Sequence, residues 1–136
     1  MACTCDSRGG FHLSARDTPG ELLPWSRLGG STAATTITQP AEQWLDAGMF
    51  RHALLCLDVR AYSGDVHLFI QTAQVDEEDA FVTIVDHQPA ATGRTWFKVE
   101  ATATTPLLRF VRWKVGAGSG PWSLFARVAA TFKSAA

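Results

Sequence analysis

Four consecutive acids, Asp76, Glu77, Glu78 and Asp79, are the sharpest cluster of chemistry-bearing residues in the chain. A hard cation such as calcium wants several carboxylate oxygens at once. Four acids in a row on an extended loop do not converge, and the Asp-x-Asp-x-Asp-Gly spacing of a calcium loop is missing. The run reads as a solvated turn. Glycoside hydrolysis needs two acids facing each other across a cleft. Asp46, Asp58 and Glu100 are the strand-borne candidates, and nothing in their spacing pairs them. His12, His52, His67 and His87 are scattered, whereas a zinc site brings three or four ligands together with a supporting shell. Cys3-x-Cys5 with His12 offers donors without a second ligand pair at the usual spacing. No Gly-x-Ser-x-Gly elbow occurs, and the glycine-rich stretch 116–120 leads into a strand rather than opening a helix over a phosphate. The sequence thus predicts no catalytic residue, no cofactor site and no metal site.

What remains is a surface. Residues 107–115, Leu-Leu-Arg-Phe-Val-Arg-Trp-Lys-Val, are the densest mixture of cations and aromatics. On an exposed sheet face such a mixture can stack on bases or sugars. It can equally anchor a protein partner, where Trp and Arg are favoured. The plainer reading puts Val111, Trp113 and Val115 in the core and Arg109 and Arg112 in water on the far side. The residues selected as a candidate interface are Phe110, Arg112, Trp96, Arg109 and Trp122.

The elements that must position these residues are strands. Residues 53–62, 65–72, 80–85, 95–102, 107–115 and 122–132 each alternate between two faces, as a half-buried strand does. Leu55, Leu57, Val59 and Ala61 share one face. So do Val66, Leu68, Ile70 and Thr72, and later Trp122, Leu124, Ala126, Val128, Ala130 and Phe132. Ser63-Gly64-Asp65 reads as a hairpin turn. Residues 32–38, rich in Thr and Ala with Ile37, predict an edge strand. Residues 40–48 read as one helical turn or a strand entry. About seven or eight strands and no convincing helix predict an all-β, antiparallel sandwich of jelly-roll type. Residues 1–20, with Gly9, Gly10, Pro19 and Gly20, read as a flexible arm without a core of its own, leaving 21–136 as the domain.

At 136 residues the chain suits one domain that needs no staple. A net charge of −1 and only two lysines before Lys133 argue against a surface that neutralises nucleic-acid phosphates. Three cysteines make no disulfide framework, and the odd count suits a reducing compartment. Cys56, inside an apolar strand, reads as a small buried hydrophobe. Residues 1–10 lack a basic region followed by an apolar one, and no run approaches the ~18 apolar residues of a membrane span. The expectation is a chain that starts soluble inside a cell, without membrane partners.

The segment 44–133 resembles a known group. Its markers are Trp44-Leu45-Asp46-Ala47-Gly48, Leu57-Asp58-Val59-Arg60-Ala61-Tyr62-Ser63-Gly64, Leu68-Phe69-Ile70-Gln71-Thr72, Leu108-Arg109-Phe110-Val111-Arg112-Trp113-Lys114-Val115 and a closing strand 122–133. The segment is similar to small β-sandwich accessory proteins encoded among the structural genes of tailed phages, prophages and phage-like particles. The resemblance implies a non-enzymatic virion protein, foremost a capsid decoration or cement subunit. A portal-, neck- or tail-associated role is the alternative within the particle. It also implies major capsid or other virion proteins as partners, homotrimers at threefold positions, and a virion location after assembly in a host cytoplasm. The competing reading is a carbohydrate-binding or adhesin module, with Trp96, Trp113 or Trp122 stacking on sugar rings.

Overall fold

In the computed structural model the described residues are 17–31, 35–48, 50–100 and 106–133. They form nine strands: β1 (Asp17–Gly30), β2 (Thr36–Thr38), β3 (Leu45–Asp46), β4 (His52–Ser63), β5 (Val66–Ala73), β6 (Val82–His87), β7 (Gly93–Val99), β8 (Phe110–Ala117) and β9 (Trp122–Lys133). The described helical pieces are single 3-10 turns, Ala41–Gln43 and Glu78–Ala80. The all-β, antiparallel expectation is what the structure shows.

The strands make two sheets. One has the order β1-β9-β4-β7. The other runs β2-β8-β5-β6, with β3 also paired to β8. All pairings between neighbours are antiparallel. β2 and β3 share one edge of β8, so nine strands fill eight positions. Along the chain, the connections from β1, β3, β4, β6, β7 and β8 to the next strand each pass from one sheet to the other. Only β5–β6 pairs as a hairpin within its sheet. This double-sheet arrangement of eight positions is a jelly roll.

Ser63-Gly64-Asp65 is therefore not a hairpin turn. β4 pairs with β9 and β7, whereas β5 pairs with β8 and β6. The turn hands the chain across the sandwich. Gly64 is required there: its φ is +78°, and a Cβ would run into the Pro121 carbonyl oxygen.

Period-two alternation decides what the core contains. Leu55, Leu57 and Val59 on β4 meet Ala130, Val128 and Ala126 on β9 across the register. Val66, Leu68 and Ile70 on β5 meet Val115 and its neighbours on β8. These residues, with Leu22, Leu23, Val111, Trp113, Trp122, Leu124 and Phe132, form one buried cluster between the sheets. Fully burying each Leu, Val, Ile or Phe side chain of the cluster is worth about 1.5–3 kcal/mol. Ala61 leaves this inner set because a bulge between Val59 and Ala61 shifts the register.

β1 is a strand the sequence does not predict. Residues 1–16 of the predicted arm lie outside the described residues, while 17–20 belong to β1 and pair with β9. The strand carries register shifts between Glu21 and Leu23 and between Leu23 and Ser26. Pro24, which has no N–H to give a ladder, falls at this irregular stretch of an edge strand. Such interruptions hide a strand from a period-two reading.

Cys56 is buried, but it points away from the core, and it is disulfide-bonded. The burial expected of Cys56 holds, but the side chain is cross-linked and so is not a plain small hydrophobe.

Candidate interface

β8 lies in the middle of the five-stranded sheet, between β2/β3 and β5. Its inner positions, Val111, Trp113 and Val115, are in the core. Alternation then turns Phe110, Arg112 and Lys114 outward, opposite Ala73, Gln71 and Phe69 of β5.

Arg112 is the centre of the outward group. Its guanidinium carbon lies 4.0 Å from the centroid of the Phe81 ring and 5.4 Å from that of Trp44. The two rings touch edge to face at 4.7 Å. Nε of Arg112 donates to Gln71 Oε1 at 2.9 Å, and Nη2 pairs with Glu78 Oε2 at 2.7 Å. Gln71 Nε2 in turn donates to Thr83 Oγ1 at 3.2 Å. Arg112 is only 3% exposed, and its Nη1 has no hydrogen-bond partner. It acts as a post under the surface, fixing Trp44, Phe81 and the acidic loop. Its hydrogen bond is the largest influence holding the Glu78 carboxyl below its usual range.

All four acids of the run are exposed, as a solvated turn requires, and Glu78 also ties the loop to the sheet through Arg112.

Arg109, exposed, and Phe110, half-buried, form the outer end of the group. Arg109 lies over the Phe110 ring at 4.9 Å, and its Nη2 meets Asp46 Oδ2 at 3.3 Å. The Gly48 amide donates to Asp46 Oδ1 at 3.0 Å. That bond first, and Arg109 second, lower the Asp46 carboxyl below its usual range. Beyond Arg109 opens a surface cleft of about 350 Å³ lined by Gly48, Phe50, Arg51, Gln74 and Leu108 among others.

Of the five residues selected from sequence, Arg109, Phe110 and Arg112 share one face. Trp96 lies on β7 of the other sheet, across the register from Cys56, and is 39% exposed. Trp122 points inward and is buried, its indole N–H donating to the Thr35 carbonyl at 3.2 Å. An indole in that position presents nothing to a partner.

Sequence reasoning missed Trp44, Phe81 and Glu78 as members of the group, because they arrive from loops. It also missed a second cluster, on the outer face of the four-stranded sheet. There Trp25 and Phe125 meet at 5.3 Å, Arg27 lies over Phe125 at 4.2 Å, and Arg60 lies over Trp25 at 4.8 Å. Each cation–ring contact at an exposed site is worth about 0.5–1 kcal/mol. The outward placement of Phe125 on β9 was the one signal for it.

The imidazoles stay apart. His67 Nδ1 lies 2.7 Å from Asp86 Oδ1, while His87 packs edge to face on Phe97. Burial pushes the His87 pKa down. Among the described residues no group of three or more His, Cys, Asp or Glu is placed to hold a metal ion. Cys3, Cys5 and His12 lie outside the described residues. Among the described residues no helix is long and apolar enough to cross a membrane.

The fold and outward clusters define a jelly-roll domain with cation–aromatic surfaces. No protein-family model matches the chain, and no curated protein matches it. Among solved structures it is similar to VP2 of infectious bursal disease virus in a subviral particle. There the TM-score is 0.46 at 9% identity, over 87% of this chain and 32% of that one. It is also similar to the Gx strain of that virus, with a TM-score of 0.49 at 12% identity, over 90% and 34% of the two chains. A point mutant of VP2 in derived T=1 particles gives 0.45 at 15% identity, over 90% and 33%. The chain spans about a third of each of these.

Proposed function

We propose that this chain is a non-enzymatic structural protein of a virus- or phage-like particle, docked on its shell as a decoration or cement subunit. Jelly rolls build viral shells, lectins and cupins, so the fold does not choose among them. The observation that carries the reading is the outer face of the five-stranded sheet. Exposed Arg109 and half-buried Phe110 stand there on a base made rigid by Arg112, Trp44 and Phe81. Pre-organised Arg and aromatic side chains are what protein interfaces use as anchors. The interior, filled by Leu, Val and Trp side chains, supports a scaffold role for the rest.

The partner is a major capsid or other virion protein, and the chain itself assembles as a homotrimer at threefold positions. The location is the virion, after assembly in a host cytoplasm. The sugar-binding reading loses support, since Trp113 and Trp122 are buried and only Trp96 remains exposed among its three rings.

Density-gradient fractionation of the native source, with mass spectrometry of each fraction, tests this. The chain is expected with megadalton particles at high stoichiometry. Finding it only as a free small protein overturns the reading, and a few copies per particle moves it to a portal, neck or tail position. Arg109→Glu combined with Phe110→Ala should abolish co-sedimentation with particles while leaving the melting temperature within a few degrees.

A further inference from the structure

One end of the sandwich carries two surface features of opposite chemistry. Ala73, the last residue of β5, pairs there with Phe110, the first of β8. Beside them opens the cleft of about 350 Å³, lined by apolar Phe50, Pro106, Leu107 and Leu108 and by the cations Arg51 and Arg109. Arg109 is engaged by Asp46. Arg51 is exposed, and among the described residues no ion pair reaches it. Its amide donates to the Lys133 carbonyl at 3.0 Å, which fixes the backbone that carries the guanidinium to the end of β9.

The loop from β5 to β6 starts at the same cleft, since Gln74 is part of its lining. Asp76, Glu77 and Asp79 of that loop are exposed, and among the described residues no ion pair joins them to a cation. Val75 and Val82, which bracket the acids, are each 47% exposed. Apolar side chains so open to water, set around a charged tip, mark a contact surface. The loop is also held ready for one. Glu78 is tied to Arg112, and a 3-10 turn covers Glu78–Ala80. A loop already ordered loses little freedom on docking.

We propose that the acidic loop of a second copy of this chain seats in this cleft, with its Asp76 and Glu77 on Arg51 and its Val75 on the apolar lining. The match is one of charge and of apolar surface together. A net charge of −1 leaves little overall repulsion to oppose it. The contact is head to tail, the kind that closes into a ring when the rotation allows and otherwise runs on as a filament. Here the loop and the cleft lie side by side at one end of the molecule, an arrangement that gathers copies around a common axis. The proposal rests on the homotrimer reading and names the contact that builds the trimer.

Sedimentation velocity of the full chain, from micromolar to millimolar concentration, tests it. Arg51→Glu and Asp76→Lys/Glu77→Lys should each weaken self-association about tenfold or more. The three changes on one chain restore opposite charges with their signs exchanged, and trimers should return. All three side chains are exposed, so every variant should melt with the unaltered protein. Should a reversal not fold, Arg51→Gln and Asp76→Asn/Glu77→Gln take its place, with a smaller loss expected from each. Trimers that survive both one-sided changes overturn this contact and leave the trimer reading standing. A chain that stays monomeric at the highest concentration overturns both. Loss in each variant without recovery in the combined one overturns the pairing of these residues. If Arg51→Glu self-associates normally but no longer travels with particles, the cleft belongs to the shell protein and the proposal falls.

Discussion

Trp113 shows how far one side chain can be read from its neighbours. Val111, Trp113 and Val115 alternate with charged residues, and that alone places the indole in the core, where it is found. Trp113→Ala should cost about 3–5 kcal/mol in denaturant unfolding. A loss under about 1 kcal/mol would mean the indole is not a core side chain. Arg112 was legible only as an outward residue. Its burial depends on Trp44 and Phe81, which approach from loops separated from it by tens of residues, and no local pattern carries that information. Glu78 offers a test of the arrangement. Its pKa is lower in the folded chain than in the unfolded one, so the unfolded state binds the proton first. The stability it contributes is present above the usual glutamate pKa and is lost as pH falls through the lowered value. Urea midpoints taken from about pH 6 to about pH 3 should fall less steeply for Glu78→Gln than for the unaltered protein. Parallel curves would mean the Arg112–Glu78 contact adds nothing to stability.

At the level of elements, the strands with clean alternation were legible and their partners were not. β4, β5, β8 and β9 announce their inner faces because one side of each is apolar. Nothing in the sequence states that the Ser63–Asp65 turn changes sheets, since a tight turn reads alike in a hairpin and in a crossing. Gly64→Ala tests how tightly this turn is held. A crossing turn at φ +78° against the Pro121 carbonyl should lose at least about 1–3 kcal/mol. A cost of a few tenths would place the turn in open space. β1 escaped a period-two reading because Pro24 and the register shifts break its pattern. His87 supplies a second test at this scale, at the β6 and β7 edges. Burial depresses its pKa, so the unfolded chain takes up the proton near the ordinary histidine value while the folded one resists. The β6–β7 edge should be firm above about pH 6.5 and loosen below it. Amide exchange in residues 82–99, corrected for intrinsic pH effects, should rise on acidification, and His87→Phe should remove the rise. Equal rises in both proteins would clear His87 of any part in it.

For the molecule as a whole, both sheets draw on one core. Far-ultraviolet dichroism, which follows the strands, and tryptophan fluorescence should therefore trace one unfolding transition. Two separate midpoints would mean the sheets come apart independently. Fold class was legible at this scale because sandwich periodicity repeats in strand after strand. Function was less so, because docking depends on a surface assembled from distant segments. The pairing of β1 with β9 also bears on synthesis. Residues 17–30 find their ladder partners only in residues 122–133. At roughly 5–20 residues per second, a ribosome leaves β1 without its mate for several seconds. Throughout that interval the nascent chain carries an unpaired strand with two buried-to-be leucines, Leu22 and Leu23. Crowded polysomes, where many such chains wait side by side, are where this protein is most exposed to wrong pairing.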